Sequence, residues 1–210
     1  MKKKSMVGRF TMPRRAPVVS SEEWHNGFDL ELHLYAKSLQ RSAQRLLATL
    51  DLSAETLREW DTAPVILLYK EAVELQLKAV IGEGSNFLKM KTDHVTLSTT
   101  HSIRWMAQIV CQIIKKVGWE GQFQCAGIST LANFSALIKD LDAVDPVSCV
   151  RYSDRGGALG DVPPGLRKSD VVALAPKLDV LLDLLDATAD ALAATWDLRN
   201  DRRGFKAIVH

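Results

Sequence analysis

The sequence predicts an all-α fold, a bundle of about five helices with one long structured loop. Three observations lead there. Apolar residues recur at helical spacing through five long segments. The alternating strands that an α/β sheet needs are missing. The 210 residues, 47% apolar and 25% charged, have the size and mix of one globular domain.

The first helix is predicted from Ser20-Ser21-Glu22-Glu23, a hydroxyl cap followed by acids in the first turn. Gly27 delays entry, and from Leu30 the series Leu34, Ala36, Leu39, Ala43, Leu46, Leu47, Leu50 keeps helical spacing. Ser53, Thr56 and Leu57 add a short turn ending near Trp60. Asp61-Thr62-Ala63-Pro64 supplies a cap with proline in the first turn, and a helix from Val65 to Ile81 ends at Gly82. Residues 82–100 lack periodicity. Thr100 then caps a helix over 101–117 with Ile103, Met106, Ala107, Val110, Ile113, Ile114 and Val117 inward, stopped by Gly118.

A further helix spans 129–144, with Leu131, Phe134, Leu137, Ile138 and Leu141 inward, and ends before Asp145-Pro146. Residues 145–168 form the long loop. The last helix covers 170–198 and should bury Leu178, Leu182, Leu185, Leu192 and Trp196. Pro176 marks its first turn rather than a kink.

Net charge is +2, unevenly spread. The six basic residues Lys2, Lys3, Lys4, Arg9, Arg14 and Arg15 come without an acid, leaving −4 for the rest. Residues 1–20 are therefore expected to be a basic flexible arm, residues 21–200 the helical domain, and residues 201–210 a basic tail. Such an arm is either a solvated tail or a contact for nucleic acid or a phosphate surface.

No apolar run approaches the roughly 18 residues of a membrane span. No h-region follows the basic start, so a secretory signal is not expected. Cys111, Cys125 and Cys149 form neither a disulfide framework nor a zinc pattern, which predicts a cytoplasmic protein. Cys111 falls on an apolar helix face and reads as core. His25 and His33 are eight residues apart, but no carboxylate–histidine set makes a metal site, so no metal site and no cofactor are expected. Gly156-Gly157 and Gly160 follow no strand, so they make no phosphate-binding fingerprint.

The most distinctive segment is Leu68-Tyr69-Lys70-Glu71-Ala72-Val73-Glu74-Leu75-Gln76-Leu77-Lys78-Ala79-Val80-Ile81. Lys70, Glu74 and Lys78 are spaced by four and share a face. They are either a solvated face with two ion pairs or a covered line that needs partners of opposite charge. In the second case Glu74 lies inside the bundle, Arg151 reaches it from the loop, and Lys70, His101 and Tyr152 stand nearby. Arg151 offers a planar fork that satisfies both carboxylate oxygens. That cluster either pins the loop or lines a pocket for a phosphate-bearing ligand.

With Thr100-His101-Ser102-Ile103 and Asp145-Pro146-Val147-Ser148-Cys149-Val150-Arg151-Tyr152-Ser153-Asp154, this helix completes a pattern. It resembles the HEPN-like all-α proteins of prokaryotic toxin–antitoxin and phage-defence systems, over about residues 60–200. Lys70 stands where arginine is common there, Glu71 where histidine is, and Ser153 where proline is. The resemblance implies a HEPN-like helical domain, a homodimer, RNA or a nucleotide-like ligand, and an antitoxin or defence-system partner protein. It also implies a metal-independent ribonuclease built on an arginine, four to six intervening residues, and then a histidine. A histidine deprotonates a 2′-hydroxyl, and an arginine offsets charge on the phosphate. Candidate catalytic residues are Arg199, Arg203 and His210, although Gly204 stands where histidine would complete a motif begun at Arg199. The other reading is a non-catalytic dimerisation or interaction module of the same fold.

Overall fold

The computed structural model describes residues 21–50, 59–90, 94–144 and 168–208. Among them are five long helices and one short one: α1 (Ser21–Thr49), α2 (Glu59–Leu88), α3 (His94–Thr99), α4 (Ile103–Val117), α5 (Leu131–Ala143) and α6 (Lys168–Ile208). The only bridge between extended residues there is an isolated one, Cys125 with Ile128. The fold is therefore all-α, as the periodicity predicts. The expected turn at 53–58 and the long loop lie outside the described residues, as does the arm.

Helix α2 is the centre, packed against α1, α4 and α6. Its sequence explains this: Val65, Ile66, Tyr69, Ala72, Val73, Leu77, Val80 and Ile81 are all buried and leave no wide polar face. A helix apolar nearly all round has to be enclosed. Cross-contacts fix the directions. Tyr69 meets Asp179 and Gln76 meets Asp186, so α6 runs parallel to α2. Lys37 meets Asp186 and Gln44 meets Asp179, so α1 runs antiparallel to α6. Arg104 meets Asp142 and Cys111 meets Ser135, which makes α5 antiparallel to α4.

Several ends differ from expectation. Helix α2 starts before Asp61 and passes through Pro64, Gly82 and Gly84, so Pro64 is inside the helix and Gly82 does not end it. Gly84 serves packing instead. A Cβ there would come within 2.6 Å of Ile113 Cγ2, so its hydrogen lets α2 and α4 approach. The helix closes with Lys89 at φ 53 and the Met90 amide donating to the Ser85 carbonyl at 2.9 Å. That is a left-handed cap made without glycine.

Helix α4 is capped by Ser102 rather than Thr100: the Ser102 hydroxyl accepts from the Trp105 amide at 3.3 Å. Gly118, at φ 80, ends it as expected. Thr130 caps α5. Helix α6 begins at Lys168, so Pro176 lies well inside it rather than in its first turn. Its Leu178, Leu182, Leu185 and Leu192 are buried, and Trp196 is partly buried against the core. On α1, Ala36 and Ala43 are buried, whereas Leu34 is 58% exposed despite its place in the apolar series. No helix among the described residues is long and apolar enough to cross a membrane.

Candidate functional site

Two polar clusters meet α2, on opposite flanks. The first is the line of charges that the spacing singles out. Glu74 and Lys78 are one turn apart and both buried, with 7% and 5% exposure. The Lys78 ammonium donates to Glu74 Oε1 at 2.8 Å and lies 3.5 Å from the Ser98 carbonyl of α3. Leu97, buried beside it, anchors α3 to the core. The same Glu74 oxygen meets His101 Nδ1 at 2.9 Å. His101 stands just before the Ser102 cap, and its side chain is 76% exposed.

A glutamate oxygen can only accept here, so Nδ1 of a neutral His101 carries the proton and the lone pair lies on Nε2. A buried carboxylate thus orients an exposed imidazole, the relation that readies a histidine as a base. Lys70, one turn before Glu74, is half-buried and donates to the Val144 carbonyl at 2.8 Å, tying α2 to the end of α5. Lys70, Glu74 and His101 are thus brought to one flank of α2. Arg151 and Tyr152 lie outside the described residues. So does His210, whereas the backbone of Arg199 and Arg203 belongs to the C-terminal stretch of α6. Burial pushes the Cys125 thiol up, and the partly buried Cys111 packs against the core.

The second cluster is a polar seam between α1 and α6. On α6, Asp179, Asp183, Asp186 and Asp190 fall at steps of four, three and four residues; on α1, His33, Lys37, Gln40 and Gln44 repeat the same steps. Run antiparallel, the two rows match. Gln44 donates to Asp179 at 2.9 Å, and Gln40 reaches Asp179 and Asp183 at 3.3 and 3.4 Å. Lys37 pairs with Asp186 Oδ2 at 2.9 Å, and His33 Nε2 with Asp186 Oδ1 at 2.7 Å. From α2, Tyr69 and Gln76 close the floor of the seam. Sequence reasoning missed this cluster because each row alone has the look of a solvated helix face. The matching steps on the two helices are the signal that would have found it.

Tyr69 is fully buried and donates to Asp179 at 2.9 Å. Burial pushes its phenol well above the ordinary tyrosine value, and the hydrogen bond and charge of Asp179 push it further. A raised phenol contributes stability that is fully present below the unfolded pKa of about 10 and is lost as pH rises beyond it. Tyr69→Phe should therefore cost about 1.5–3 kcal/mol near neutrality, the value of a hydrogen bond to a charged acceptor. In urea melts the gap between wild type and variant should narrow above about pH 10. A gap unchanged by pH would show that the phenol titrates as in the unfolded chain.

No protein-family model, curated protein or solved structure matches the chain.

Proposed function

We propose that the chain is a HEPN-like protein of a prokaryotic defence or toxin–antitoxin system that acts on RNA as a metal-independent ribonuclease. The observation that supports this best is the Glu74–His101 pair, with a buried carboxylate on Nδ1 and an exposed Nε2. In this reading His101 Nε2 takes the proton of a ribose 2′-hydroxyl. The 2′-oxygen then bonds to phosphorus, the bond to the 5′-oxygen breaks, and that oxygen takes a proton from the imidazolium or water. The products are a 2′,3′-cyclic phosphate and a free 5′-hydroxyl. Glu74 is a positioning residue that holds the tautomer and steadies the imidazolium.

The test is single-stranded RNA incubated with the protein in excess EDTA, with product ends analysed. Cleavage leaving cyclic phosphates should fall by about 10²–10⁴-fold in His101→Ala, the usual contribution of a general base. RNA left intact by the wild type, or a His101→Ala variant as fast as the wild type, overturns the reading.

A second reading, the non-catalytic dimerisation or interaction module, draws on Leu34 and Tyr35, which stand 58% and 61% exposed on α1. Light scattering at micromolar concentration giving the 23.3 kDa monomer mass would remove self-association.

A further inference from the structure

His33, Asp186 and Asp190 converge at one end of the polar seam. We propose that these three side chains form a zinc site that clasps α1 to α6, separate from the Glu74–His101 pair. The three donor atoms, an imidazole nitrogen and two carboxylate oxygens, lie within 4.8 Å of one another. His33 Nε2 is 2.7 Å from Asp186 Oδ1 and 3.8 Å from Asp190 Oδ1. Zinc held at about 2.0–2.1 Å by tetrahedral ligands sets them about 3.3 Å apart, between those two distances. Asp186 and Asp190 stand one turn apart on α6, so both carboxylates meet His33 from one helix face.

The surroundings orient the histidine toward the two carboxylates. Gln76, 1% exposed, places its amide nitrogen 3.1 Å from His33 Nδ1 and 3.2 Å from Asp186 Oδ1. It thereby fixes the ring with Nε2 aimed at the two carboxylates. On zinc binding the imidazole proton moves from Nε2 to Nδ1. Gln76 can accept that proton by turning its amide over, which gives up its hydrogen bond to Asp186 Oδ1, the oxygen that the cation then takes. Lys37 occupies Asp186 Oδ2 and leaves Oδ1 to the cation.

Charge favours a cation as well. Four aspartates line this face of α6, and α1 answers them with Lys37, His33 and two neutral glutamines. Asp190 is 72% exposed, so the cation has an entrance and water can take the fourth position. Three protein ligands and an open position are the usual make-up of a zinc site that is not fully closed.

The experiment uses the full chain stripped with EDTA and then dialysed. Cobalt(II) serves as the optical probe and zinc as its competitor, with heats of binding measured in parallel. One equivalent should bind, give the intense visible bands of four-coordinate cobalt, and be displaced by zinc. Asp190→Asn and His33→Ala should each weaken binding at least tenfold, as loss of one of three ligands demands. Because Asp190 is exposed, its variant keeps the test decisive even where His33→Ala folds poorly. Asp183→Asn, on the same acidic row but facing Gln40, should bind like the wild type, and so should His101→Ala. Absence of one-equivalent binding, or an Asp190→Asn variant that binds as tightly as the wild type, overturns the proposal.

Discussion

Glu74→Ala is expected to destabilise the protein by about 3–5 kcal/mol, the cost of leaving a buried charge without its partner. The reason lies in what remains. Lys78 is 5% exposed, and once the carboxylate is gone its ammonium keeps, among the described residues, the Ser98 carbonyl at 3.5 Å. His101, being exposed, loses a partner at little cost because water replaces it. The asymmetry of the effect gives a sharper check than its size. Replacing Glu74 and Lys78 together by leucine and methionine removes both charges and fills similar volume. That double variant should fall within about 1 kcal/mol of the wild type, or exceed it, because a buried ion pair seldom repays its own desolvation. Urea unfolding of the two variants decides the matter. A Glu74→Ala loss below about 0.5 kcal/mol would mean that Lys78 reaches water.

Glu74 also shows how far the sequence could be read. Its burial was legible, because Val73, Leu75 and Leu77 surround it on a helix with too little polar surface to stay in solvent. Its neighbours were less so. The spacing already offered Lys78 at i+4, yet such pairs are common on solvated faces, and only enclosure by α3 and the segment before α4 makes this one matter. Arg151, the partner that loop reasoning favours, lies outside the described residues.

Helix ends were misread for a related reason. Pro64, Gly82 and Pro176 read locally as punctuation, whereas burial of the flanking rows carries α2 and α6 through them. Gly84 has meaning only in the presence of Ile113, twenty-nine residues away on another helix. The seam between α1 and α6 was illegible one helix at a time. An aspartate row is an ordinary solvated face until a second helix presents His33, Lys37, Gln40 and Gln44 at the same steps in reverse.

Phe134→Ala is the second large effect expected, at about 3–5 kcal/mol. Phe134 is fully buried and meets Phe123 edge-on, with ring centroids 5.3 Å apart at 89°. The contact joins α5 to the turn-rich segment after α4, so truncation opens a cavity and also frees Phe123 from a favourable aromatic geometry. Helix α5 has 13 residues, and its inward face consists of Phe134, Leu137, Ile138 and Leu141. Its polar ties are modest: Arg104 to Asp142 at 3.7 Å on the surface, and Lys70 to the Val144 carbonyl. Removing the largest of four anchors should therefore weaken α5 more than the three helices packed on α2. Hydrogen exchange distinguishes the two ways of losing that stability. If α5 detaches as its own unit, its amides lose protection while those of α2 and α6 keep most of theirs. If the core unfolds as one, all fall by the same amount. The single inward face of α5 predicts the first outcome, and uniform loss across α2, α5 and α6 would refute it.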